Sequence, residues 1–481
     1  MDKYNKYGWI PIPYKEAIDK ISTNNKKIKQ NEYISNGKYP VIDQGQDFIG
    51  GFTNDESKLL NCTLPALVFG DHTKIVKLVN YKFAPGADGV KVVAPRKFFN
   101  AKLFEFFTKI LAIKIPDKGY ARHFQYIEKY RIPLPPLPEQ RAIVAKIEQL
   151  FSDLDNGIAN FEKAQEQLKI YRQAVLKNAC EGKLVPTEAE LARADGRDYE
   201  PADVLLARIL KERREKWNGK GKYKEPAAPD TNRLPELPEG WCYTYIDALL
   251  STNRTGIKTG PFGSLLKKHE HRIEGIPVLG IENIEAMKFI TGSKIRITKE
   301  KSTQLFGYDA LPDDVLISRS GTVGEVCVVP EGLGEARIST NLIRVTLAPN
   351  GMLPLFFTFL FNGSPDVLDQ VTDLCKGSTR NFLNRGILFS LIFPLSPLAE
   401  QHRIVVEVER RLSLCDKLEE TIAESLQKAE ALRQSILKRA FEGKLLSEKE
   451  LEEVRNAPDW EPADELLERI KVEKEKTGNK K

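Results

Sequence analysis

The chain of 481 residues is 41% apolar, 9% aromatic and 29% charged, an ordinary globular balance that excludes a disordered, collagen-like or wholly membrane-embedded protein. No apolar run reaches the roughly 18 residues of a membrane span, and the polar start Met1-Asp2-Lys3-Tyr4-Asn5-Lys6 does not read as a secretory leader. The net charge of +6 is mild but uneven: residues 1 to 131 carry 22 Lys and Arg against 13 Asp and Glu, residues 132 to 231 and 232 to 392 balance at 17 each, and residues 393 to 481 carry 17 against 20. Only the first segment therefore has the electrostatic footprint of a phosphate-binding surface. Six cysteines (Cys62, Cys180, Cys242, Cys327, Cys375, Cys415) form no Cys-x-x-Cys pair, so reduced thiols in a cytoplasmic protein are expected, without a disulfide framework or a zinc site.

In chain order, residues 1–131 read as a mixed domain, with short strands at Ala66 to Phe69 and Val90 to Val93 and a helix near Phe99 to Ile113. A proline-rich lead-in, Ile132-Pro-Leu-Pro-Pro-Leu-Pro-Glu-Gln-Arg141, opens a helical stretch over 132–217. Pro138 suits a first helical turn and Glu139 complements the helix N-terminus. Ile147, Leu154, Phe161, Leu168 and Val175 then recur seven apart, and Leu150, Ala164 and Tyr171 add a second column three residues on. Gly182 follows the last turn as a C′ glycine, and a polar turn precedes a shorter amphipathic segment from Pro201 to about Trp217. Residues 218–239, rich in Gly, Pro and Lys, read as a mobile linker. The second domain, 240–392, has strands at Val315 to Ser318 and Leu342 to Leu347 and a helix at Leu353 to Phe361. Residues 393–481 repeat the long helix and its tail, with a seam of Val408, Cys415, Ile422, Ala429 and Ile436 joined by Leu418 and Leu432.

The second half repeats the first. Ile132-Pro-Leu-Pro-Pro-Leu-Pro-Glu-Gln-Arg141 answers Phe393-Pro-Leu-Ser-Pro-Leu-Ala-Glu-Gln-His402 at an offset of 261 residues. The offset is unchanged at Glu181-Gly-Lys-Leu184 with Glu442-Gly-Lys-Leu445 and at Glu200-Pro-Ala-Asp203 with Glu461-Pro-Ala-Asp464, so the repeated element tolerates no insertion. Earlier echoes drift as surface loops differ in length: Gly8-Trp9 with Gly240-Trp241, Pro40-Val-Ile42 with Pro277-Val-Leu279, Leu67-Val-Phe69 with Val315-Leu-Ile317, and Arg122-His-Phe124 with Arg380-Asn-Phe382. The expected fold is thus two copies of a mixed α/β (α+β) domain joined by a two-helix antiparallel coiled coil with pseudo-twofold symmetry.

Catalytic signatures are missing from the sequence. Leu134-Pro-Pro-Leu137 lacks the amide or carboxylate that an amino-methyltransferase uses to hold its target amine. Gly182-Lys183 and Gly443-Lys444 are helix ends and not phosphate loops. His269-Glu-His271 lacks metal-ligand spacing, and Asp313-Asp314, without a following acid-x-Lys, reads as a turn before a strand.

These motifs resemble the specificity subunit of type I restriction-modification systems: the Pro-Leu-x-Pro-Leu-x-Glu-Gln lead-ins, the Glu-Gly-Lys-Leu helix ends, Lys258-Thr-Gly-Pro-Phe-Gly-Ser264, Leu316-Ile-Ser-Arg-Ser-Gly-Thr322 and Gly377-Ser-Thr-Arg-Asn-Phe382. The first domain is a divergent relative, with Pro40-Val-Ile-Asp-Gln-Gly45 and Phe69-Gly-Asp-His-Thr73 in the corresponding places and no Gly-Pro-Phe-Gly loop. The resemblance implies that each domain reads one half of a bipartite double-stranded DNA target and that the helices fix the unread spacer. It implies two methyltransferase subunits that use S-adenosylmethionine and two restriction subunits that use ATP and Mg, with no catalytic group, metal or cofactor on this chain and no membrane partner. The alternative is a coiled-coil scaffold whose end domains bind protein.

Base edges are read by Arg, Asn and Gln, while Lys, Ser and Thr hold phosphates. The DNA-contact candidates in the first domain are Gln44, Gln46, Asp71, His72, Thr73, Lys74, Arg122 and His123. In the second they are Lys258, Thr259, Ser264, Arg319, Ser320, Thr322, Arg380 and Asn381, with Asp71 matched to Arg319 and His123 to Asn381. The basic first domain is expected to hold DNA through its own charge, and the neutral second one to depend more on a bound partner.

Overall fold

The computed structural model describes residues 8–478, apart from 88, 117–121, 218–221, 263–264, 286, 320–323 and 376–382. The chain forms two compact units that are discontinuous in sequence: Met1–Lys163 with Ile422–Lys481, and Ala164–Thr421. Both long helices, Leu137–Cys180 and Leu398–Phe441, have 44 residues, about 66 Å of rise at ~1.5 Å per residue, and each passes from one unit into the other.

The two units share one topology. In the first, a four-stranded sheet runs in the order Ile18–Ile21, Val90–Pro95, Ala66–Gly70, Val76–Val79; in the second the order is Ile257–Thr259, Leu342–Val345, Val315–Ser318, Val326–Val328. Each adds a three-stranded sheet containing one parallel pair, Val41 beside Ala84 and Val278 beside Arg337. Each also closes its domain with an antiparallel pair, Ile10–Pro13 on Arg131–Leu134 and Cys242–Tyr245 on Ile392–Leu395. The strand at Val315–Ser318 has the extent expected from its apolar run, and the expected helices are found as Ala101–Lys114 and Pro354–Gly363.

The constant register follows from how each core is covered. In the first unit, Phe104, Phe107 and Ile132 pack with Ile143 and Ile147 from the start of the first long helix and with Ile436, Ala440 and Phe441 from the end of the second. In the second unit, Phe357, Phe393 and Leu395 pack with Ile404 and Val408 from the start of the second helix and with Val175, Leu176 and Ala179 from the end of the first. Each domain thus takes its cover from two different copies of the repeat, the helix start meeting the helix end, so the copies run antiparallel within each unit. An insertion in one copy would misplace core residues at its far end.

The Glu-Gln pair of the lead-in does more than favour a helix start. Gln140 is fully buried; its Nε2 donates to the carbonyls of Phe98 (2.9 Å) and Pro135 (2.8 Å), and its Oε1 accepts from the Asn100 N–H (2.6 Å). Gln401 repeats this on Gly351, Ser396 and Leu353. The Trp9 indole donates to Glu139 Oε2 (2.6 Å), while Trp460 donates to Oε1 of the same carboxylate (3.2 Å). Trp241 donates likewise to Glu400 Oε1 (2.9 Å), whose other oxygen accepts from the Glu188 N–H (2.8 Å). Burial pushes the Glu400 carboxyl above its ordinary range, partly offset by these two donors. The Gly-Trp and Glu-Gln echoes are therefore two ends of one buried contact.

At the helix ends, Gly182 (φ 66°) and Gly443 (φ 73°) adopt the left-handed conformation, and Lys183 N–H donates to Asn178 O as Lys444 N–H does to Arg439 O, both at 2.8 Å, as in a Schellman turn. The seam departs from the expected spacing. Ile147, Leu154, Phe161, Leu168, Val175, Val408, Cys415, Ile422, Ala429 and Ile436 are all buried or half-buried, but Tyr171, Leu418 and Leu432 are exposed. The second column lies four residues on, at Phe151, Ile158, Gln165, Arg172 and Ala179 and at Leu412, Glu419, Leu426, Arg433 and Ala440. Polar members hide this column from an apolar pattern. The charged ones are paired: Arg172 with Asp416 (2.5 Å) and Glu419 (3.0 Å), and Arg433 with Asp155 while stacking on Phe151.

The turn after each helix contains a further helix, Glu188–Asp195 and Glu448–Arg455, each opened by a capping box, Thr187 with Glu190 and Ser447 with Glu450. The segment read as a linker is described from residue 222, where it packs back: Tyr223 meets Trp217 edge-on (5.6 Å between centroids) and Arg214 pairs with Glu225 (2.9 Å). Glu188 is buried between Arg403 (2.5 Å) and Arg197 (2.6 Å). Burial pushes its carboxyl up, but the hydrogen bonds from the two arginines outweigh this and hold it below the ordinary value of 4.5. A depressed carboxylate contributes stability that is present above its unfolded pKa and lost as pH falls through the folded one. Glu188→Gln is therefore expected to lower the urea midpoint of the second unit at pH 7, with the difference from the native chain shrinking below pH ~4.5. A difference that does not vary with pH would reject this role.

Candidate nucleic-acid interface

The ends of three strands of the four-stranded sheet meet at one corner of each unit. In the first, Ile18–Ile21 ends in the turn Ser22-Thr23-Asn24, Ala66–Gly70 ends at Asp71, and Val90–Pro95 begins. Asn24 N–H donates to Ser22 Oγ (3.4 Å), and Asn25 is left-handed at φ 59°, a conformation Asn tolerates. A cleft of about 450 Å³ opens here, lined by Ser22 to Asn24, Lys20, Lys27, Lys91, Arg122 and Gln125. Lys20 is paired with Glu128 (2.6 Å).

Of the candidates, the structure brings Arg122 to this cleft with its side chain exposed. Asp71 and His123 stand behind it. The Asp71 carboxylate accepts the Phe124 N–H (2.7 Å), and its carbonyl accepts both the His123 N–H (2.8 Å) and the His123 ring Nδ1–H (2.9 Å). Both side chains are buried, which leaves them to position Arg122 and the short helix Phe124–Ile127 instead of presenting an edge to a base. Gln44, His72 and Thr73 cluster beside the cleft: the His72 N–H donates to Gln44 Oε1 (3.3 Å) and Thr73 Oγ1 donates to Gln44 O (2.8 Å). Gln46 is exposed on the same loop as Gln44. Lys74 turns away; it is left-handed (φ 61°), and its Nζ donates to Ile115 O (3.2 Å) at a different groove. Lys27, Lys91, Asn24 and Gln125 are additions that the sequence did not single out, since this strand and turn carry no legible echo of the second half.

Strand pairing reveals the match. Lys20 lies opposite Val93 and Leu67 opposite Val93, as Ile257 and Val315 lie opposite Val345, so Ile21-Ser22-Thr23-Asn24-Asn25 corresponds to Lys258-Thr259-Gly260-Pro261-Phe262. By the same pairing Asp71 corresponds to Arg319, as expected. The hydrogen bond that the His123 N–H gives Asp71 O is given by the Leu383 N–H to Arg319 O (3.3 Å), which puts Leu383 in the place of His123 by this bond.

In the second unit the corner is built differently. Lys258 Nζ lies 4.4 Å from the centre of the Tyr308 ring, and Thr259 is half-buried beside it. Arg319 is buried, its Nη1 donates to Thr340 O (3.2 Å), and its guanidinium sits 5.2 Å from the centre of the Phe262 ring. Desolvation by burial lowers its pKa from the ordinary arginine value. Ser264, Ser320, Thr322, Arg380 and Asn381 lie outside the described residues. Asp313 and Asp314 form the turn expected of them; Asp314 accepts the Leu311 N–H (2.7 Å) and binds Arg254. Among the described residues no helix is long and apolar enough to cross a membrane.

Residues 14–161 match the type I restriction modification DNA specificity domain. The chain is 26% identical over 350 residues to the type I restriction enzyme EcoBI specificity subunit of Escherichia coli, an alignment covering 73% of this chain and 66% of that protein. It is 24% identical to the EcoDI specificity subunit of Escherichia coli over 98% of both chains. A chain from a structure of complex assembly and conformational transition in the type I R-M system shares its fold, with a TM-score of 0.60 and 19% identity over 91% of this chain and 98% of that one. With one globular fold present twice and the likeness running the length of both halves, the chain is similar throughout to type I restriction-modification specificity subunits, and its residues 14–161 match their DNA specificity domain.

Proposed function

We propose that this chain is the sequence-specific DNA-recognition subunit of a type I restriction-modification complex. Each globular unit reads one half of a bipartite duplex target, and the long helices set the unread gap between the halves. Two methyltransferase subunits supply S-adenosylmethionine-dependent adenine-N6 methylation, and two restriction subunits supply ATP- and Mg-dependent translocation and cleavage in the cytoplasm. The chain contributes recognition and no catalytic group.

The observation that carries this reading is the matched corner: one strand-end scaffold bears Ser22, Asn24, Lys91 and Arg122 in one unit and Thr259, Phe262 and Arg319 in the other. A shared frame with unlike side chains is what two different half-sites require. The cations of the first corner contact phosphate, which releases counterions and makes binding depend on salt. In gel shifts of the full chain across a salt series, Lys91→Ala is expected to weaken all duplexes about equally and to reduce the log–log salt slope by about one. An unchanged slope would remove Lys91 from the interface. Equal binding of all duplexes by the native chain, at every salt concentration, would favour the scaffold reading.

A further inference from the structure

Phe262 is a large apolar side chain displayed in water at a loop that is otherwise clamped. It is 60% exposed. On its N-terminal side Gly260 N–H donates to Leu342 O (3.0 Å), and any Cβ at Gly260 would lie 1.8 Å from the Ser339 carbonyl oxygen, so the backbone can approach only as glycine. Pro261 has its φ fixed by its ring, and its carbonyl accepts Thr340 Oγ1 (2.6 Å). Beneath the ring lies the guanidinium of Arg319, at 5.2 Å from its centre and itself only 5% exposed. An exposed aromatic that merely lacked a core partner would sit on a slack loop. This one is held from the backbone side by a glycine contact, a proline and two hydrogen bonds, and from the ring side by a cation. Such preorganisation lowers the ordering cost of a contact made through the ring.

By strand register the ring also takes the place of Asn25 in the first unit, one residue beyond the Ser22 to Asn24 lining of the cleft that holds Arg122 and Lys91. We infer that Phe262 makes an apolar contact with a base of the half-site read by the second unit, and that Arg319 is the positioning residue that holds the ring in place. Phenylalanine makes such contacts with the thymine methyl group in the major groove. The second unit, whose domain segment has no net charge, thus discriminates by apolar contact where the first supplies cations.

This inference rests on the proposed function, and one experiment separates the two. The full chain, with any methyltransferase partner it retains, is incubated with a pool of random 40-base-pair duplexes, and the bound fraction is sequenced for the native chain and for Phe262→Ala, Phe262→Leu and Arg319→Lys. The native chain is expected to select a two-part sequence. Phe262→Ala is expected to lose about ten-fold discrimination at one or two positions of one part only, with the other part and the thermal midpoint unchanged. Phe262→Leu, still apolar, retains most of that discrimination, and Arg319→Lys, which keeps the charge without the planar stack, blurs the same positions. A native chain that selects nothing overturns the proposed function and this inference with it. A two-part selection that is identical in Phe262→Ala, or weakened equally in both parts, overturns the inference alone. So does loss of the methyltransferase partner with selection intact, because the ring would then be a protein contact.

Discussion

Replacing Gln140 by leucine is expected to cost the first unit about 4 kcal/mol. The side chain is fully buried and satisfies three main-chain groups, the carbonyls of Phe98 and Pro135 and the Asn100 N–H. Leucine is close to glutamine in size, so it leaves little cavity, but it leaves those groups buried and unpaired at ~1–3 kcal/mol each. Asn100 is also the N-cap of the helix Ala101–Lys114, whose Leu103, Phe104 and Phe107 are core residues, so strain there spreads into the packing. A loss of this size is a large share of the stability of a single domain. Urea unfolding with hydrogen exchange resolved along the chain should show a lower midpoint for residues 101–114 and for the helix segment 137–163, with 342–395 unaffected. A loss below about 1 kcal/mol would mean that water replaces the amide and that the contact is dispensable.

The second large effect concerns the long helix. Four residues inserted after Phe161 translate everything that follows by about 6 Å and rotate it by about 40° relative to the unaltered register. The seam then breaks phase, because the column at Leu168 and Val175 no longer continues the line of Ile147 and Leu154. If the helices are the ruler, the insertion changes the gap between the two recognised half-sites or reduces binding of the native target at least 100-fold. A native gap with native affinity would show that the helices do not set it. The same insertion placed at Gly196, a surface turn with open space around it, is the control and should be tolerated.

Much of the architecture was legible because the repeat is strict wherever an insertion would misplace core residues. Ala66–Gly70 and residues 315–317 appear as uninterrupted runs without polar side chains since both faces are buried, and Gly182 and Gly443 announce helix ends since only glycine takes their φ cheaply. The meaning of Glu139 and Gln140 was not legible. Apart from Pro135, their partners lie 40 or more residues away, and those of Gln140 are main-chain groups that a sequence does not advertise. The second seam column was missed because Gln165, Arg172, Glu419 and Arg433 are polar, and the charged three take partners across the helix pair. The short helices at Glu188–Asp195 and Glu448–Arg455 could have been found from Thr187-x-x-Glu190 and Ser447-x-x-Glu450.

Site residues were harder for a different reason. Lys74 and Arg122 look equally suitable in sequence, yet one turns to a groove beside Ile115 and the other opens onto the strand-end cleft. Asp71 occupies the slot of Arg319 but is consumed by the Phe124 and His123 main chain. Residue type gives the chemistry a side chain can do; only strand register decides which side chains reach the same corner.

Whether two unlike corners on one scaffold read two halves of one duplex target is decided by sequencing the duplexes that the full chain retains from a random pool. Two short selected blocks separated by an unselected gap of fixed length are expected. Retention of a single uninterrupted block, or of two blocks at variable spacing, would contradict this.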